Sequence, residues 1–278
     1  MPFELGYNTN GFAHHRIEDA IDVLAEIGFE SVAITLDHHV LNPYAADIDR
    51  QVYAIKQRLQ SHNMCCVIET GSRFLLDPFR KHWPSLLTAN EENREKRFDF
   101  LCRAMQIAAL LDAEAVSFWS GSADESLSDE EAWSLLVDMC DALLARAVSH
   151  DVFLAFEPEP GMFIERMEQF ARLAEELNHP RFGLTLDVGH LHCLGDGDPV
   201  DRIREFSRHL MNVHVEDMRA GVHDHLQFGD GEMKFEPILK TLREVGYTGT
   251  LNVELSRHSY DAVEAARKAH AFLSNINR

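Results

Sequence analysis

Short apolar runs alternate with longer amphipathic stretches along the chain, at a rhythm of about one pair per 30–35 residues. Most of the short runs are apolar at consecutive positions, which is typical of parallel strands that are covered on both faces. The pattern predicts eight strands, at Phe3–Asn8, Ser31–Leu36, Cys65–Thr70, Ala115–Trp119, Val152–Glu157, Gly183–Asp187, Met211–Val215 and Leu251–Leu255.

The longer stretches have helical periodicity. The first of them carries apolar residues one helical turn apart, at Ile17, Ala20, Ile21, Leu24 and Ile27. Several stretches begin at capping residues, and several end in glycine, which leaves a helix easily through a left-handed conformation. The predicted helices are Ile17–Ile27, Ile48–Ser61, Glu91–Leu111, Asp129–Ser149, Met167–Leu177, Val200–His209, Phe235–Val245 and Asp261–Ser274.

Eight strands in alternation with eight helices predict a closed (β/α)8 barrel, an α/β fold of the TIM-barrel type. A doubly wound open sheet is the competing architecture. The 278 residues suit one domain over 1–278, without an interdomain linker or a low-complexity segment. The longest irregular piece, Gly71–Ala89, follows the third strand, and a barrel would place it on the catalytic face.

Composition and charge narrow the class of protein. The chain is 45% hydrophobic and 26% charged, which is ordinary for a globular protein with a sizeable core. Its formal net charge of −20 disfavours a nucleic-acid partner, because phosphate binding needs a dense basic surface. No uncharged apolar run reaches the roughly 18 residues of a membrane span. We therefore expect neither a nucleic acid nor a membrane as a partner.

The amino-terminal residues and the cysteines both favour a cytoplasmic protein. Residues 1–6 lack the basic and apolar regions of a signal peptide. The five cysteines are odd in number and show no CxxC spacing. We expect them to be reduced, buried thiols.

Ionisable side chains stand where the apolar character of four late strands stops, at Glu157, Asp187, His214 and Glu254. In a closed parallel barrel these four points converge on one small volume. Buried oxygen and nitrogen donors are costly there unless opposite charge compensates them, as a divalent cation would. Three carboxylates and one imidazole favour a harder ion such as Mn2+, Mg2+ or Co2+ over a thiolate-type zinc site, although zinc also fits.

Each of these residues also has a plainer interpretation. An acid at a strand end can cap a helix or carry surface charge, although Glu157 and Glu254 lie within apolar segments, which disfavours both. His190 fits the cap of the following helix. The neighbouring acids Glu159, Glu216 and Asp217 fit solvated or supporting charges better than ligands. The joint occurrence on four successive strands favours a common site.

A further group of chemically active residues follows the seventh strand. The Gly229/Gly231 pair indicates a tight backbone path before the next helix. His225, a few residues earlier, can point back towards the mouth as a substrate donor or a further metal ligand. His223 is a candidate additional ligand. The segment does not match a phosphate-cradling loop.

These pieces resemble the xylose isomerase-like barrel superfamily, which contains sugar and sugar-phosphate isomerases and epimerases, inosose dehydratases and the endonuclease IV group. The barrel pattern covers nearly the whole chain, whereas the specific motifs occupy its second half. The matching segments are Phe156-Glu157-Pro158, Asp187-Val188-Gly189-His190, Asn212-Val213-His214-Val215, His225-Leu226-Gln227-Phe228-Gly229-Asp230-Gly231 and Val253-Glu254-Leu255-Ser256.

The resemblance implies one divalent ion, Mn2+ in the first place, held by Glu157, Asp187, His214 and Glu254. It further implies that the two glutamates act as the acid/base pair, as in the ketose 3-epimerase branch, and that His190 and the residue at position 225 bind substrate oxygens. In that branch position 225 is typically an arginine, so His225 is a departure. In the endonuclease IV group it is a histidine metal ligand.

The endonuclease IV group also needs histidine ligands after the third and fourth strands. Here those strands end in Glu69-Thr70 and Phe118-Trp119, without a histidine, which disfavours DNA repair. Glu69 is a candidate polar contact at the mouth or a partner of Arg73. Trp119 suits stacking on the apolar face of a sugar ring, or equally a place in the core.

The expected function is that of a divalent-metal-dependent isomerase or epimerase of a sugar, sugar phosphate or inosose, working by proton abstraction through a metal-stabilised enediolate. Epimerisation, aldose–ketose isomerisation and inosose-type dehydration need nearly the same residues, so the sequence leaves this choice open. An endonuclease IV-like phosphodiesterase and a non-catalytic metabolite-binding barrel are the alternatives of other classes. Whether the substrate is phosphorylated is also open, because Arg73, Arg80 and Lys81 fit either an anion site or solvated surface. The sequence likewise leaves a homo-oligomeric state open.

Overall fold

The computed structural model describes residues 2–277, in which eight parallel strands close into a barrel, as predicted. The strands are β1 (Leu5–Asn8), β2 (Ser31–Thr35), β3 (Cys65–Glu69), β4 (Val116–Phe118), β5 (Leu154–Phe156), β6 (Phe182–Asp187), β7 (Leu210–Val215) and β10 (Leu251–Val253). Each strand pairs with its neighbours along the chain, and β10 pairs with β1 to complete the ring. The TIM-barrel prediction is confirmed, and the open sheet is wrong.

The helices surround the barrel. Within residues 2–277 no helix combines the length and apolar character that crossing a membrane requires. Their bounds are α1 (Ile17–Ile27), α2 (Ile48–His62), α3 (Glu91–Leu111), α4 (Asp129–His150), α5 (Met167–Leu177), α6 (Val188–Leu194), α7 (Pro199–Phe206), α8 (Phe235–Glu244) and α9 (Ala262–Ile276).

Three features differ from the elements predicted from the sequence. The short helix α6 directly follows β6, and a hairpin of β8 (Asp217–Arg219) and β9 (Val222–Leu226) follows β7. The predicted helix Val200–His209 is wrong at both ends: α7 begins at Pro199 after the Asp198 cap, and its last residues form a separate 3-10 turn, Ser207–His209. Short elements carry too few periodic positions for a pattern to predict them.

Aromatic side chains fill part of the layer between strands and helices. Phe118 and Phe156 pack edge to face, with ring centroids 5.2 Å apart, on adjacent strands. Phe182 lies 5.9 Å from Phe156 and stacks on Phe170 of α5 at 6.0 Å. All four are buried. Burial of these rings and of the aliphatic residues around them fixes the strand ends relative to one another.

Polar side chains, by contrast, fill part of the barrel interior. Asn212 donates to Glu69 at 3.0 Å and accepts from Asn252 at 2.9 Å, while Thr185 donates to Ser117 at 3.0 Å. All five are buried. Because buried polar groups need hydrogen-bond partners, this network specifies how the strands meet under the mouth of the barrel.

The segment between β3 and α3, residues 70–90, forms a wall of that mouth without helix or strand of its own. Arg97 of α3 fastens it, donating to the carbonyl oxygens of Pro84 at 2.8 Å, His82 at 2.9 Å and Thr70 at 3.3 Å. The segment is therefore a packed, fixed part of the barrel mouth.

Candidate active site

Four of the predicted site residues meet at the carboxyl ends of the barrel strands. Glu157 follows β5, Asp187 ends β6, His214 lies in β7 and Glu254 follows β10. One potential ligand atom from each lies within 4.8 Å of all the others. His214 Nδ1 is 2.9 Å from Glu254 Oε2 and 3.2 Å from Glu157 Oε1. The structure thus brings together the constellation that the sequence predicted.

Asp187 shows that this group fits a cation. Its Oδ1 caps α6 by accepting from the His190 backbone N–H at 2.9 Å, whereas its buried Oδ2 makes no hydrogen bond among the described residues and lies 3.4 Å from His190 Nε2. A buried carboxylate oxygen without a partner costs free energy, and a divalent ion would remove that cost. Three carboxylates and an imidazole are a normal donor set for such an ion.

The acids of this group ionise differently. Burial raises the pKa of Glu157 to about 8, against the opposing effect of His214. Burial also acts on Glu254, but its hydrogen bond to His214 and the nearby imidazoles outweigh it and lower the pKa below the usual range. A cation beside both groups would favour the carboxylate form of each.

Glu69 points into the barrel and contacts His214 from below. Its Oε1 lies 2.9 Å from His214 Nε2, and the pair is buried. This contact turns Nδ1 of the same ring towards Glu157 and Glu254. A carboxylate behind a ligating imidazole fixes its tautomer and orientation. Glu69 also lines the cavity described below, so the predicted contact with substrate stays a prediction.

Three histidines form a second group beside the first. His190 Nε2 lies 3.1 Å from His223 Nε2, which lies 3.1 Å from His225 Nε2. His190 comes from α6, and the hairpin strand β9 carries the other two on the same side because its side chains alternate. Burial and the neighbouring imidazoles lower the pKa of His223 to about 4. Imidazole nitrogen atoms this close together could hold an ion.

Glu216 was expected to be a supporting or solvated charge, and the structure buries it completely against Asp187. Burial and the charge of Asp187 raise its pKa well above the usual range. Both carboxylate oxygens lack a hydrogen-bond partner among residues 2–277. A Cβ atom at Gly189 would lie 2.0 Å from Glu216 Oε1. The glycine of the Asp-Val-Gly-His motif therefore makes room for this acid.

Asp217 organises the turn that follows the hairpin. Its carboxylate accepts from the backbone N–H groups of Gly229 at 2.8 Å and Met233 at 3.0 Å. A Cβ atom at Gly231 would lie 2.2 Å from Asp217 Oδ1, and Gly229 has a φ of +93°. The close approach and the left-handed backbone explain the glycine pair.

A cavity of about 590 Å³ opens over the site. Glu69, Trp119, Glu157, Glu254 and both hairpin histidines line it, whereas Asp187 and His190 lie behind them. Trp119 is half-buried, and the Arg97 guanidinium lies 4.9 Å from its ring centroid.

Sequence reasoning missed Asn10, whose Nδ2 donates to Glu254 Oε1 at 2.7 Å. A lone asparagine after β1 gave no signal for this contact.

The fold and the site together define a TIM barrel with candidate metal ligands at its strand ends. A model of the family described as xylose isomerase-like TIM barrel matches residues 21–276. The chain therefore belongs to this family, and the resemblance found in the sequence is confirmed.

Two curated relatives and one solved structure illustrate the similarity. An inosose dehydratase of Clostridium botulinum is 25% identical over 85% of this chain and 81% of its own length. The L-ribulose-5-phosphate 3-epimerase UlaE of Salmonella paratyphi A is 25% identical over 82% of this chain and 78% of its own. A crystal structure of an IOLI protein with a bound zinc atom superposes with a TM-score of 0.80, at 17% identity over 99% of this chain and 98% of that one. The chain is thus related to epimerases and dehydratases.

Proposed function

We propose that this protein is a divalent-metal-dependent isomerase or epimerase that acts on a sugar, sugar phosphate or inosose. The observation that carries the proposal is the convergence of Glu157, Asp187, His214 and Glu254, with one potential ligand atom of each within 4.8 Å of the others. These four residues would hold one ion, Mn2+ in the first place, with Co2+, Mg2+ and Zn2+ also fitting the donor set.

The chain's own residues would carry the proton transfers. When bound, the ion supplies Lewis-acid polarisation of the substrate's carbonyl and neighbouring hydroxyl oxygens. One of Glu157 and Glu254 removes the proton from the carbon beside the carbonyl, and the other returns a proton. Asn10 holds Glu254 through the hydrogen bond to Oε1, which leaves Oε2 facing His214. His223 and His225 line the cavity and would donate to substrate oxygens.

The carbon that receives the returning proton decides the reaction. Return to the same carbon on the opposite face gives an epimer, and return to its neighbour gives an isomer. Departure of a β-hydroxyl gives dehydration instead, so an inosose-type dehydratase on the same site is the alternative. The relatives named as an epimerase and as a dehydratase support both outcomes.

Hydrogen exchange tests the proposed reaction class. Incubation of the Mn2+-loaded protein with a panel of ketoses, inososes and sugar phosphates in D2O should place deuterium on carbon, because the abstracted proton exchanges with solvent. Mass spectrometry of the product measures it. A product without carbon-bound deuterium would point to hydride transfer or to hydrolysis.

Glu69→Gln is expected to weaken Mn2+ binding by about 10- to 100-fold, the usual effect of removing a carboxylate behind a ligating histidine. We propose that Glu69 positions His214 and contributes its charge to that ring. Titration calorimetry measures the affinity, and Glu236→Gln, an exposed glutamate of α8, is the matched control. An unchanged affinity, with an unchanged melting temperature of the metal-free variant, would remove this positioning role.

The three-histidine group favours a second candidate function, a metal-dependent phosphodiesterase. The endonuclease IV resemblance assigns a metal to the position of His225, and His190 and His223 lie beside it. Neither β3 nor β4 ends in a histidine, whereas that group carries further histidine ligands after these strands. Metal analysis of purified protein separates the two functions, since one ion per chain favours the isomerase and three favour the phosphodiesterase.

A further inference from the structure

The segment between β3 and α3 contributes positive charge to the same cavity that the site acids line. Arg73 and Lys81 of this segment line the cavity together with Glu157 and Glu254. Asn10 connects the acidic and basic sides of the cavity. The Asn10 carbonyl oxygen accepts from Arg73 at 3.3 Å, and the Asn10 side chain donates to Glu254 at 2.7 Å. Asn10 therefore contacts both an acid and a cation of the cavity lining.

These two cations are not neutralised by the protein. Neither Arg73 nor Lys81 has a carboxylate within 4.0 Å in the part of the chain that the structure describes. The neighbouring cations differ: Arg80 pairs with Asp77 at 3.0 Å and lies on the Trp83 ring, and Arg257 at the other rim pairs with Asp224.

The wall behind the two cations is itself positively charged. Arg97 is buried and donates only to backbone carbonyl oxygens, so its charge is unpaired there. Burial lowers the pKa of His82, on the same wall, to about 4, and the charges of Lys81, Arg97 and Arg73 act in the same direction. The cavity thus has an acidic side that suits a cation and a basic side that suits an anion.

The acidic character of the whole chain makes the basic side of the cavity a distinctive place for an anionic ligand. A net charge of −20 disfavours the binding of anions in general, so an anionic ligand needs local cations to be held. The cavity of about 590 Å³ has room for a small sugar that reaches from the acids to the basic wall.

We propose that the substrate is a sugar monophosphate, whose carbonyl end faces Glu157 and Glu254 and whose phosphate lies between Arg73 and Lys81. The inference rests on the proposed function and adds the class of substrate. Phosphate oxygens accept charge-assisted hydrogen bonds from guanidinium and ammonium groups, and a dianion balances two such cations.

Paired ligands test the inference by binding alone. The full-length Glu254→Gln variant loaded with Mn2+ is titrated calorimetrically with ketopentoses and ketohexoses, each as the free sugar, as the terminal monophosphate and as the corresponding sugar acid. We expect at least one monophosphate to bind about 10- to 100-fold more tightly than its free sugar, the usual effect of charge-assisted hydrogen bonds. Adding Arg73→Gln and Lys81→Gln should bring that ratio close to one, and added salt should reduce it.

Lys96→Gln is the charge-matched control, because Lys96 is exposed on α3 and pairs with Glu92 outside the cavity. It should leave the ratio unchanged. Equal binding of every monophosphate and its free sugar overturns the inference, and so does tighter binding of a sugar acid, which would assign a carboxylate to the basic wall. Deuterium exchange of a free sugar by the wild-type protein would show that the proposed function stands without the inference.

Discussion

Glu157→Gln and Glu254→Gln are each expected to lower turnover by about 10²–10⁴-fold, the usual contribution of a general acid or base. Glutamine has nearly the shape of glutamate but can neither remove nor return a proton. Both carboxylates line the cavity and contact the same His214 nitrogen, so both can reach a substrate bound there. Initial rates and deuterium incorporation measure the effect.

The loss must be separated from a loss of metal, since both residues are also proposed ligands. Each variant is therefore assayed at saturating Mn2+, with the metal content measured on the same sample. The exposed Glu236→Gln serves as a matched control that should keep normal turnover. Near-normal turnover in both cavity variants would remove their assigned role. Deuterium exchange that survives in only one of them would identify the residue that removes the proton.

Chelation by EDTA is expected to abolish turnover, and Mn2+ or Co2+ should restore it. Three acids of the described site lie close together, with potential ligand atoms within 4.8 Å of one another, and their charges repel. Asp187 also has a buried carboxylate oxygen without a hydrogen-bond partner. A bound cation would offset both the repulsion among the acids and the desolvation of the Asp187 oxygen, and it can do so only in the folded state. Its binding should therefore stabilise the protein, by about 2.7 kcal/mol at a free ion concentration 100 times Kd.

Thermal unfolding with and without Mn2+ measures this stabilisation. For a chain of this size it corresponds to a rise in Tm of several degrees, at roughly 2–4 °C per kcal/mol. Asp187→Asn should reduce the rise, because it removes one charge from the ligand set. Full activity in EDTA, together with a Tm that does not respond to Mn2+, would falsify the metal-site proposal.

The sequence predicted those site residues that stand at the ends of strands, because the strand ends themselves could be predicted from the sequence. Glu157, Asp187, His214 and Glu254 each stand where an apolar run stops, and a parallel barrel brings such points together. The contacts among neighbours were not predictable in this way. That Glu69 lies against His214 depends on two strands that are not adjacent in the barrel.

The hairpin of β8 and β9 shows why the other contacts of the site could not be predicted from the sequence. β8 and β9 are three and five residues long, too short for a periodic pattern to distinguish them from a loop. Yet this hairpin carries His223 and His225 to within 3.1 Å of one another and brings His223 next to His190. The same holds for Asn10, whose contact with Glu254 joins residues 244 positions apart.

The sequence by itself determined the barrel, the order of its strands and the four residues at its mouth, because hydrophobic periodicity and strand ends are local properties of a chain. Only the tertiary structure decided which buried acid stands behind which imidazole, which acid lacks a partner, and which cations face the cavity. Those are relations between side chains that are distant in sequence, and they depend on packing that no local pattern records.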